Sequence, residues 1–156
     1  LDRKLNSLFM SDGFDPGTIH WLIRNDGVLG LTVIGHETNQ YQICASKPVL
    51  TLDQFGMWLY LAVVLDGNAR RVAHYVNGLP VGENALKIKT PFHVSAAELG
   101  NWNAKGFPKE DPFMIRNFSG AMDEFCLFSG ALSAEEIHAL FSFGKPQPDP
   151  LRPSRN

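Results

Sequence analysis

The chain of 156 residues has little of what marks several protein classes. Its two cysteines, Cys44 and Cys126, show no CxxC spacing and cannot form a metal site by themselves. Two states stay open for them, a bridge in an oxidising compartment or two separate thiols. No apolar run approaches the roughly 20 residues that span a bilayer. Lysine and arginine are scattered and the net charge is −2, which excludes the basic stripe of a nucleic-acid-binding surface.

Catalytic and targeting signatures are also missing. None of the five histidines is spaced at i, i+2 or i, i+4 from another, so no metal-ligand pattern is present. The sequence contains no nucleophile elbow, P-loop or HExxH motif. It opens Leu1-Asp2-Arg3-Lys4 without an apolar signal segment, and we expect it to begin inside a longer protein.

What is present is a series of short apolar stretches separated by Gly, Asn, Asp and Pro, which predicts β-strands and turns. Asn25-Asp26-Gly27 and Asn77-Gly78 are typical of tight hairpin turns, because these residues tolerate positive φ. The predicted strands are Thr18 to Arg24, Val28 to Ile34, Gln40 to Ala45, Met57 to Asp66, Arg70 to Val76, short strands around Val81 and before Leu99, and Ser119 to Phe128.

Side-chain alternation predicts what these strands bury. Both faces of Met57 to Asp66 are apolar, which indicates a central strand with Trp58 in the core. Trp21 alternates with Ile19 and Ile23, so we expect it in the core as well. His74 shares a face with Val72 and Val76 and is predicted to be a hydrogen-bonded core or edge histidine. In Ser119 to Phe128, Phe125 and Leu127 are expected to face one way, and Glu124, Cys126 and Phe128 the other.

One helix is predicted near the end. Ser133 and Glu136 form the capping box S-x-x-E, and Gly144 suits the helix end. Residues 145–156 hold four prolines and are predicted to be a linker or loose tail. The bottom-up prediction is one domain over residues 1–144, an all-β sandwich with one short C-terminal helix.

Three segments in order carry a family resemblance: WLYLAVVLD at 58–66, YVNG at 75–78, and GAMDEF at 120–125 followed by ALSAEEI at 131–137. Together they resemble the laminin G-like, concanavalin A-like jelly-roll domains over Met57 to Gly144. The resemblance implies a two-sheet antiparallel jelly-roll sandwich. It also implies a non-catalytic module of a larger extracytoplasmic protein, periplasmic, cell-surface or secreted, that binds a glycan or a cell-surface protein.

The family pattern begins with one or two further strands and an F-T-x-x-x-W segment, which is absent here unless Thr18 to Trp21 is a displaced version. We therefore expect an N-terminally truncated domain with an open sheet edge, through which the chain could self-associate.

The resemblance also suggests a metal ligand. In some similar domains an aspartate at the position of Asp123 helps to bind a structural calcium, which needs six to eight oxygen ligands. The alternative is purely structural, with Glu124 hydrogen-bonded or ion-paired at the sheet edge. Because Asp123 and Glu124 are adjacent on a predicted strand, they face opposite ways and cannot act together on one bond.

Trp102 is the candidate ligand-binding residue. Asn101-Trp102-Asn103 stands in a polar loop, where the indole could stack on the apolar face of a sugar while Asn101 and Asn103 bond its hydroxyls. The alternative, which we rank just ahead, is a ring folded down as a lid on the sandwich edge.

Three functions follow. The first is a carbohydrate-binding module. The second is a protein-interaction or structural module of a bacterial envelope or FecR-like signalling protein, distinguished by an apolar surface patch. The third is a hydrolase, which we disfavour because the E-x-D-x-x-E pattern of the family's glucanase branch is absent.

Overall fold

Short apolar segments between turn residues build two antiparallel sheets. The computed structural model describes residues 3–89, 91–102 and 115–144. Within these ranges the chain forms eight strands, a 3-10 turn at Leu52–Gln54 and one α-helix. The elements are β1 (Leu5–Ser11), β2 (Ile19–Arg24), β3 (Val28–Ile34), β4 (Tyr41–Pro48), β5 (Leu61–Asp66), β6 (Arg71–Val76), β7 (Leu79–Ala85), β8 (Ala97–Leu99) and α1 (Ala134–Gly144). No helix among these residues is long and apolar enough to cross a membrane.

The five-stranded sheet has the order β4-β3-β2-β1-β8, and the three-stranded sheet the order β5-β6-β7. Both hairpin turns lie where the sequence predicts them. Gly27 has φ 79° at the end of the three-residue turn between β2 and β3, where a left-handed residue is typical. Asn77 and Gly78 have φ 51° and 76°, the left-handed backbone that the two-residue β6–β7 hairpin requires. This mostly-β, two-sheet architecture confirms the predicted jelly-roll sandwich.

The sheets are joined closely along one side, between β4 and β7. The Gln42 side chain donates from Nε2 to the Ala85 carbonyl at 2.7 Å and accepts at Oε1 from the Lys87 N–H at 2.7 Å. Asn84 Nδ2 donates to the Ala45 carbonyl at 2.9 Å. We call this side, formed by these side-chain bonds between the two sheets, the closed seam.

The core lies between the sheets beside the closed seam. Its members are fully or nearly fully buried, namely Leu31, Val33, Cys44, Val72, Leu86 and Ile88. His74 is also buried, as the sequence predicts, and its Nε2–H donates to the Cys44 carbonyl at 3.0 Å. Burial lowers the pKa of His74, and this hydrogen bond opposes the shift.

The helix forms through the predicted capping box. Ser133 Oγ accepts from the Glu136 N–H at 3.2 Å, and the Glu136 carboxylate accepts from the Ser133 N–H at 2.7 Å. Ile137 then packs against the outer face of the three-stranded sheet beside Val64 and Tyr75. The helix therefore covers one face of β5 and β6.

The prediction that Met57 to Asp66 is a central strand is wrong. β5 begins at Leu61 and is an edge strand, paired with β6 alone. Its two faces are apolar for another reason: Val63 packs toward the core between the sheets, whereas Ala62 packs in the cluster under α1. Trp58 lies outside the strand and is 66% exposed, so its predicted place in the core is also wrong.

The predicted strand Ser119 to Phe128 is not formed either, since these described residues have no regular secondary structure. Glu124 has φ 51°, and the Asp123 side chain accepts its N–H at 2.9 Å. A local side-chain bond and a left-handed residue thus interrupt the extended backbone that a sheet needs. The predicted tail at 145–156 lies outside the described residues.

β1 was not anticipated from the sequence. It pairs with β2 on one side and β8 on the other. Asn6 and Ser7 interrupt its apolar pattern, yet both are buried, and Asn6 Nδ2 donates to the Ile23 carbonyl at 3.2 Å. Polar residues at buried positions break the apolar alternation by which a strand is recognised in a sequence.

A candidate ligand-binding cleft

Opposite the closed seam the sheets diverge and leave a cleft of about 2340 Å³. One wall is the inner face of β2, with Ile19, Trp21 and Ile23, and the other is β5. Residues 118–132 run along the opening. Ligand sites of proteins are commonly concave spaces of about 300–1,000 Å³, so the cleft has room for a ligand and for adjustment of its walls.

Polar residues also line this cleft. The β2–β3 turn brings Asn25 and Asp26 to the cleft lining, and the segment that follows β4 brings Thr51 and Gln54. The turn and this segment are held together at Gly27, whose carbonyl accepts the N–H groups of Val49 at 3.0 Å and of Leu50 at 3.2 Å. A Cβ atom at position 27 would lie 2.2 Å from the Leu50 carbonyl oxygen. Glycine is therefore required for this close approach.

Large apolar side chains stand exposed beside the polar residues. Trp58 is the largest, and Leu52, Phe55 and Met57 are exposed on the same connection between β4 and β5. All four line the cleft. We call Trp58, Asn25, Thr51 and Gln54 the cleft rim. Sequence reasoning missed Trp58 as a surface residue, because the continuous apolar run from Met57 does not mark where the strand begins.

Trp102, the predicted ligand-binding residue, is buried, with 4% of its surface exposed. It packs with Met10 and Leu22, and its indole N–H donates to the Ser11 carbonyl at 3.0 Å. Phe14 meets it edge to face, with ring centroids 5.4 Å apart. The geometry is that of the alternative interpretation, a ring folded onto the sandwich, and it leaves no open face for a sugar.

The residues beside Trp102 have different places. Asn101 is half-buried, and Asn103 lies outside the described residues. Of the predicted constellation, the two residues that the structure describes are thus a buried tryptophan and a half-buried asparagine.

A buried cation accompanies Trp102. The Arg116 guanidinium carbon lies 4.0 Å from the centroid of the indole, a cation–π arrangement, and burial lowers the pKa of Arg116 to about 10. His20 packs against the same indole at 5.1 Å. Burial lowers the pKa of His20 to about 4, and the positive charge of Arg116 lowers it further. The hydrogen bond to the Gly13 carbonyl acts in the opposite direction and raises it. This end of the molecule is an aromatic–cationic packing cluster.

The predicted metal ligand Asp123 is exposed, and one of its carboxylate oxygens accepts the Glu124 N–H. Among the residues that the structure describes, no group of three or more His, Cys, Asp or Glu side chains could hold a metal ion. Both cysteines are free thiols, Cys44 buried and Cys126 exposed.

Comparison with known proteins gives a family and a set of shared folds. The sequence model described as "Concanavalin A-like lectin/glucanases superfamily" matches residues 3–138. Comparison with curated protein sequences gives no match.

Among solved structures, the CBM40 domain of the Ruminococcus gnavus IT-sialidase superposes with a TM-score of 0.70 at 15% identity, covering 90% of this chain and 76% of that one. The same domain is known bound to α2,3 sialyllactose, with a TM-score of 0.69, 15% identity and the same coverage. The NanB sialidase of Streptococcus pneumoniae matches with a TM-score of 0.68 at 22% identity over 88% of this chain, which spans only 21% of that enzyme. These likenesses show the fold.

Proposed function

The chain belongs to the concanavalin A-like lectin/glucanase superfamily, and we propose that within it this protein is a non-catalytic carbohydrate-binding module. The observation that carries the proposal is that the exposed indole of Trp58 lines the same cleft as the amide and hydroxyl side chains of the rest of the cleft rim. A sugar ring has an apolar C–H face and a polar edge. An aromatic ring flanked by hydrogen-bonding side chains matches both.

The rim divides the two tasks between different elements. Trp58 supplies a large apolar surface, and it is exposed enough for a pyranose ring to lie against it. Asn25 carries an amide group that can donate to and accept from hydroxyls. Gln54 can donate from its amide nitrogen, while its Oε1 already accepts the Thr51 N–H at 2.8 Å, which holds the two side chains together. The hydrogen bonds from the Val49 and Leu50 N–H groups to the Gly27 carbonyl fix the β2–β3 turn relative to the segment after β4. The site is therefore positioned before a ligand arrives, which lowers the entropic cost of binding.

The non-catalytic character rests on the carboxylates at the cleft. Glycoside hydrolysis needs two carboxyl groups facing each other across the scissile bond, about 5–10 Å apart. Asp26 is ion-paired with Arg24, and Asp123 and Glu124 are neighbours on the same stretch of chain. With E-x-D-x-x-E absent from the sequence, these residues do not suggest a catalytic pair.

The first ligand class to test is sialylated glycans. The R. gnavus domain, which shares the fold, is described as bound to α2,3 and to α2,6 sialyllactose. That a similar fold holds such a sugar supports glycan binding here without fixing its identity. The extracytoplasmic location that the family resemblance implies is part of the same proposal.

The test is a glycan array that includes both sialyllactose isomers, run once with calcium and once with chelator. Wild-type protein is expected to bind selectively, and Trp58→Ala to lose at least tenfold in affinity with an unchanged melting temperature. Tyr41→Ala is the matched control, because Tyr41 is 61% exposed and lies on β4 outside the cleft lining. Its binding should equal that of the wild type.

The outcomes separate the components of the proposal. Equal binding by Trp58→Ala and wild type would remove the rim as the site. Loss of wild-type binding in chelator would show that a divalent cation is required, and Asp123→Asn would then test the calcium-binding role that the family resemblance implies for Asp123. Absence of binding by folded wild-type protein in both conditions would refute the carbohydrate proposal.

A second function is favoured by two observations, the exposed apolar side chains around the cleft and the outer edge of β5, with which no other described strand pairs. Such a surface fits a protein-interaction module, including an envelope or FecR-like one, or self-association through the edge. Sedimentation velocity at several concentrations tests self-association, which predicts a sedimentation coefficient that rises with concentration.

A further inference from the structure

The walls of the cleft are apolar, yet several of their side chains are only half-buried. The half-buried ones lie on the facing sides of β2 and β5, namely Ile19, Trp21, Leu61, Val63 and Leu65. By contrast, Leu31 and Val72, which lie between the sheets beside the closed seam, are fully buried. Removal of apolar surface from water is favourable, so this part of the interior can still gain stability by binding an apolar group. We call the space between the five half-buried side chains the trough.

The trough adjoins the cleft rim at one end. Ile23 belongs to an apolar cluster there, and Leu50 and Leu61 pack against that same cluster. Along the chain, Leu50 directly precedes Thr51 of the rim, and Ile23 lies two positions before Asn25 of the rim. A molecule bound at the rim can therefore extend into the trough without crossing the wall of the cleft.

The opposite end of the trough lies four residues along each of the two strands. Ile19 of β2 and Leu65 of β5 pack there against the core beside the closed seam. Because a strand rises about 3.3 Å per residue, Leu61 and Leu65 are about 13 Å apart. An extended backbone covers about 3.5 Å with three chain atoms, so an extended hydrocarbon chain of about eleven carbons matches this length.

The rim and the trough differ in polarity. The rim offers amide and hydroxyl groups and one indole, whereas the five trough side chains carry a single polar atom, the buried indole nitrogen of Trp21. An oligosaccharide is polar along its edges and would leave the trough in contact with water. A wholly apolar molecule would leave the hydrogen-bonding groups of the rim unused. A molecule with a sugar at one end and a hydrocarbon chain at the other matches both parts.

We propose that the ligand of this site is an amphiphilic glycan, whose sugar headgroup binds the cleft rim and whose single alkyl or acyl chain lies in the trough. This inference rests on the proposed function, since it names the class of glycan that the same site takes. It is carried by the position of the trough, which holds unburied apolar surface and begins where the rim residues stand.

The test measures the affinity of the full chain for alkyl β-lactosides of increasing length, from methyl to tetradecyl. Isothermal titration calorimetry is used below the critical micelle concentration of each compound. Each added methylene should tighten binding by about two- to fourfold, the upper value being the transfer of one CH₂ group out of water. The gain should end at about eleven carbons, when the chain spans the trough.

Variants separate the contribution of the chain from that of the headgroup. Val63→Phe narrows the trough at its middle, so the gain should end at about half the wild-type chain length. Ile43→Phe is the matched control, because Ile43 is exposed on β4 and lies outside the cleft lining. Its chain-length dependence should equal that of the wild type. Trp58→Ala should weaken all lactosides by the same factor and leave the gain per methylene unchanged.

The outcomes distinguish this inference from the proposed function. Affinity that is independent of chain length, in protein that binds lactosides or arrayed glycans, would overturn the amphiphilic ligand and leave the carbohydrate-binding module intact. Failure of folded protein to bind the longest lactosides would also overturn it, since the chain alone should add measurable affinity. Alkyl tetraethylene glycols, which have the same chains without a sugar, should bind more weakly. Equal affinity for the two series would contradict the role of the rim in both proposals.

Discussion

Replacing Trp102 by alanine tests whether this residue builds the fold or binds a ligand. The ring is almost fully buried against Met10 and Leu22, and its N–H bonds the Ser11 carbonyl inside the protein. Truncating a buried tryptophan costs about 3–5 kcal/mol. Part of this cost comes from the Ser11 carbonyl, since an unsatisfied buried acceptor costs about 1–3 kcal/mol. The loss of the Arg116 cation–π contact adds about 0.5–2 kcal/mol.

These contributions overlap, so we expect a total loss of about 3–5 kcal/mol in the free energy of unfolding. For a domain of this size each kcal/mol lowers the melting temperature by about 2–4 °C. Trp102→Ala should therefore melt about 6–20 °C below the wild type, measured by far-ultraviolet circular dichroism. Trp102→Phe keeps most of the ring but not the N–H, and should lose about 1–3 kcal/mol. A Trp102→Ala variant with wild-type melting temperature and abolished glycan binding would refute this reasoning and restore Trp102 as a binding residue.

Three further predictions concern pH, the helix start and the thiols. The pKa of His20 falls from 6.5 in the unfolded chain to about 4 in the fold. The free energy of unfolding is therefore highest above pH 6.5 and decreases by up to about 3 kcal/mol as the pH falls toward 4. Urea unfolding at pH 7.5 and pH 5 should show a smaller decrease for His20→Gln than for the wild type. Ser133→Ala removes the helix cap and should cost about 1 kcal/mol in the same assay, and an unchanged midpoint would contradict the capping role. Native protein should react with a thiol reagent at Cys126 alone, since Cys44 is buried and burial raises its pKa; two rapidly reacting thiols would contradict the described core.

Local chemistry made part of the fold predictable. The left-handed turns at Asn25 to Gly27 and Asn77-Gly78 depend on residues that tolerate positive φ wherever they occur. The helix start depends on two side chains three residues apart, Ser133 and Glu136. These features need no knowledge of distant contacts, and the sequence predicts them correctly.

Features that depend on distant partners were not predictable in the same way. The apolar faces of β5 suit a strand with two neighbours as well as an edge strand covered by a helix, and only the sheet order distinguishes the two. Trp58 and Trp102 both stand among turn or strand signals, yet one is exposed and the other buried. For Trp102 the deciding partner is Ser11, 91 positions earlier in the chain.

The closed seam also determines the order in which the molecule loses its structure. Side-chain bonds from Gln42 and Asn84 tie the two sheets along the β4–β7 side, whereas β5 on the opposite side bonds to a single neighbour. Among the described strands, partial opening breaks the fewest bonds at β8, which pairs with β1 over three residues, and then at β5, which pairs with β6 over six. These two strands belong to the least protected units and the β3–β4 hairpin to the most protected one. Proteases that cut exposed, transiently unpaired backbone would thus first cleave near β8 and β5, leaving the sheet formed by β1 to β4 as the resistant part.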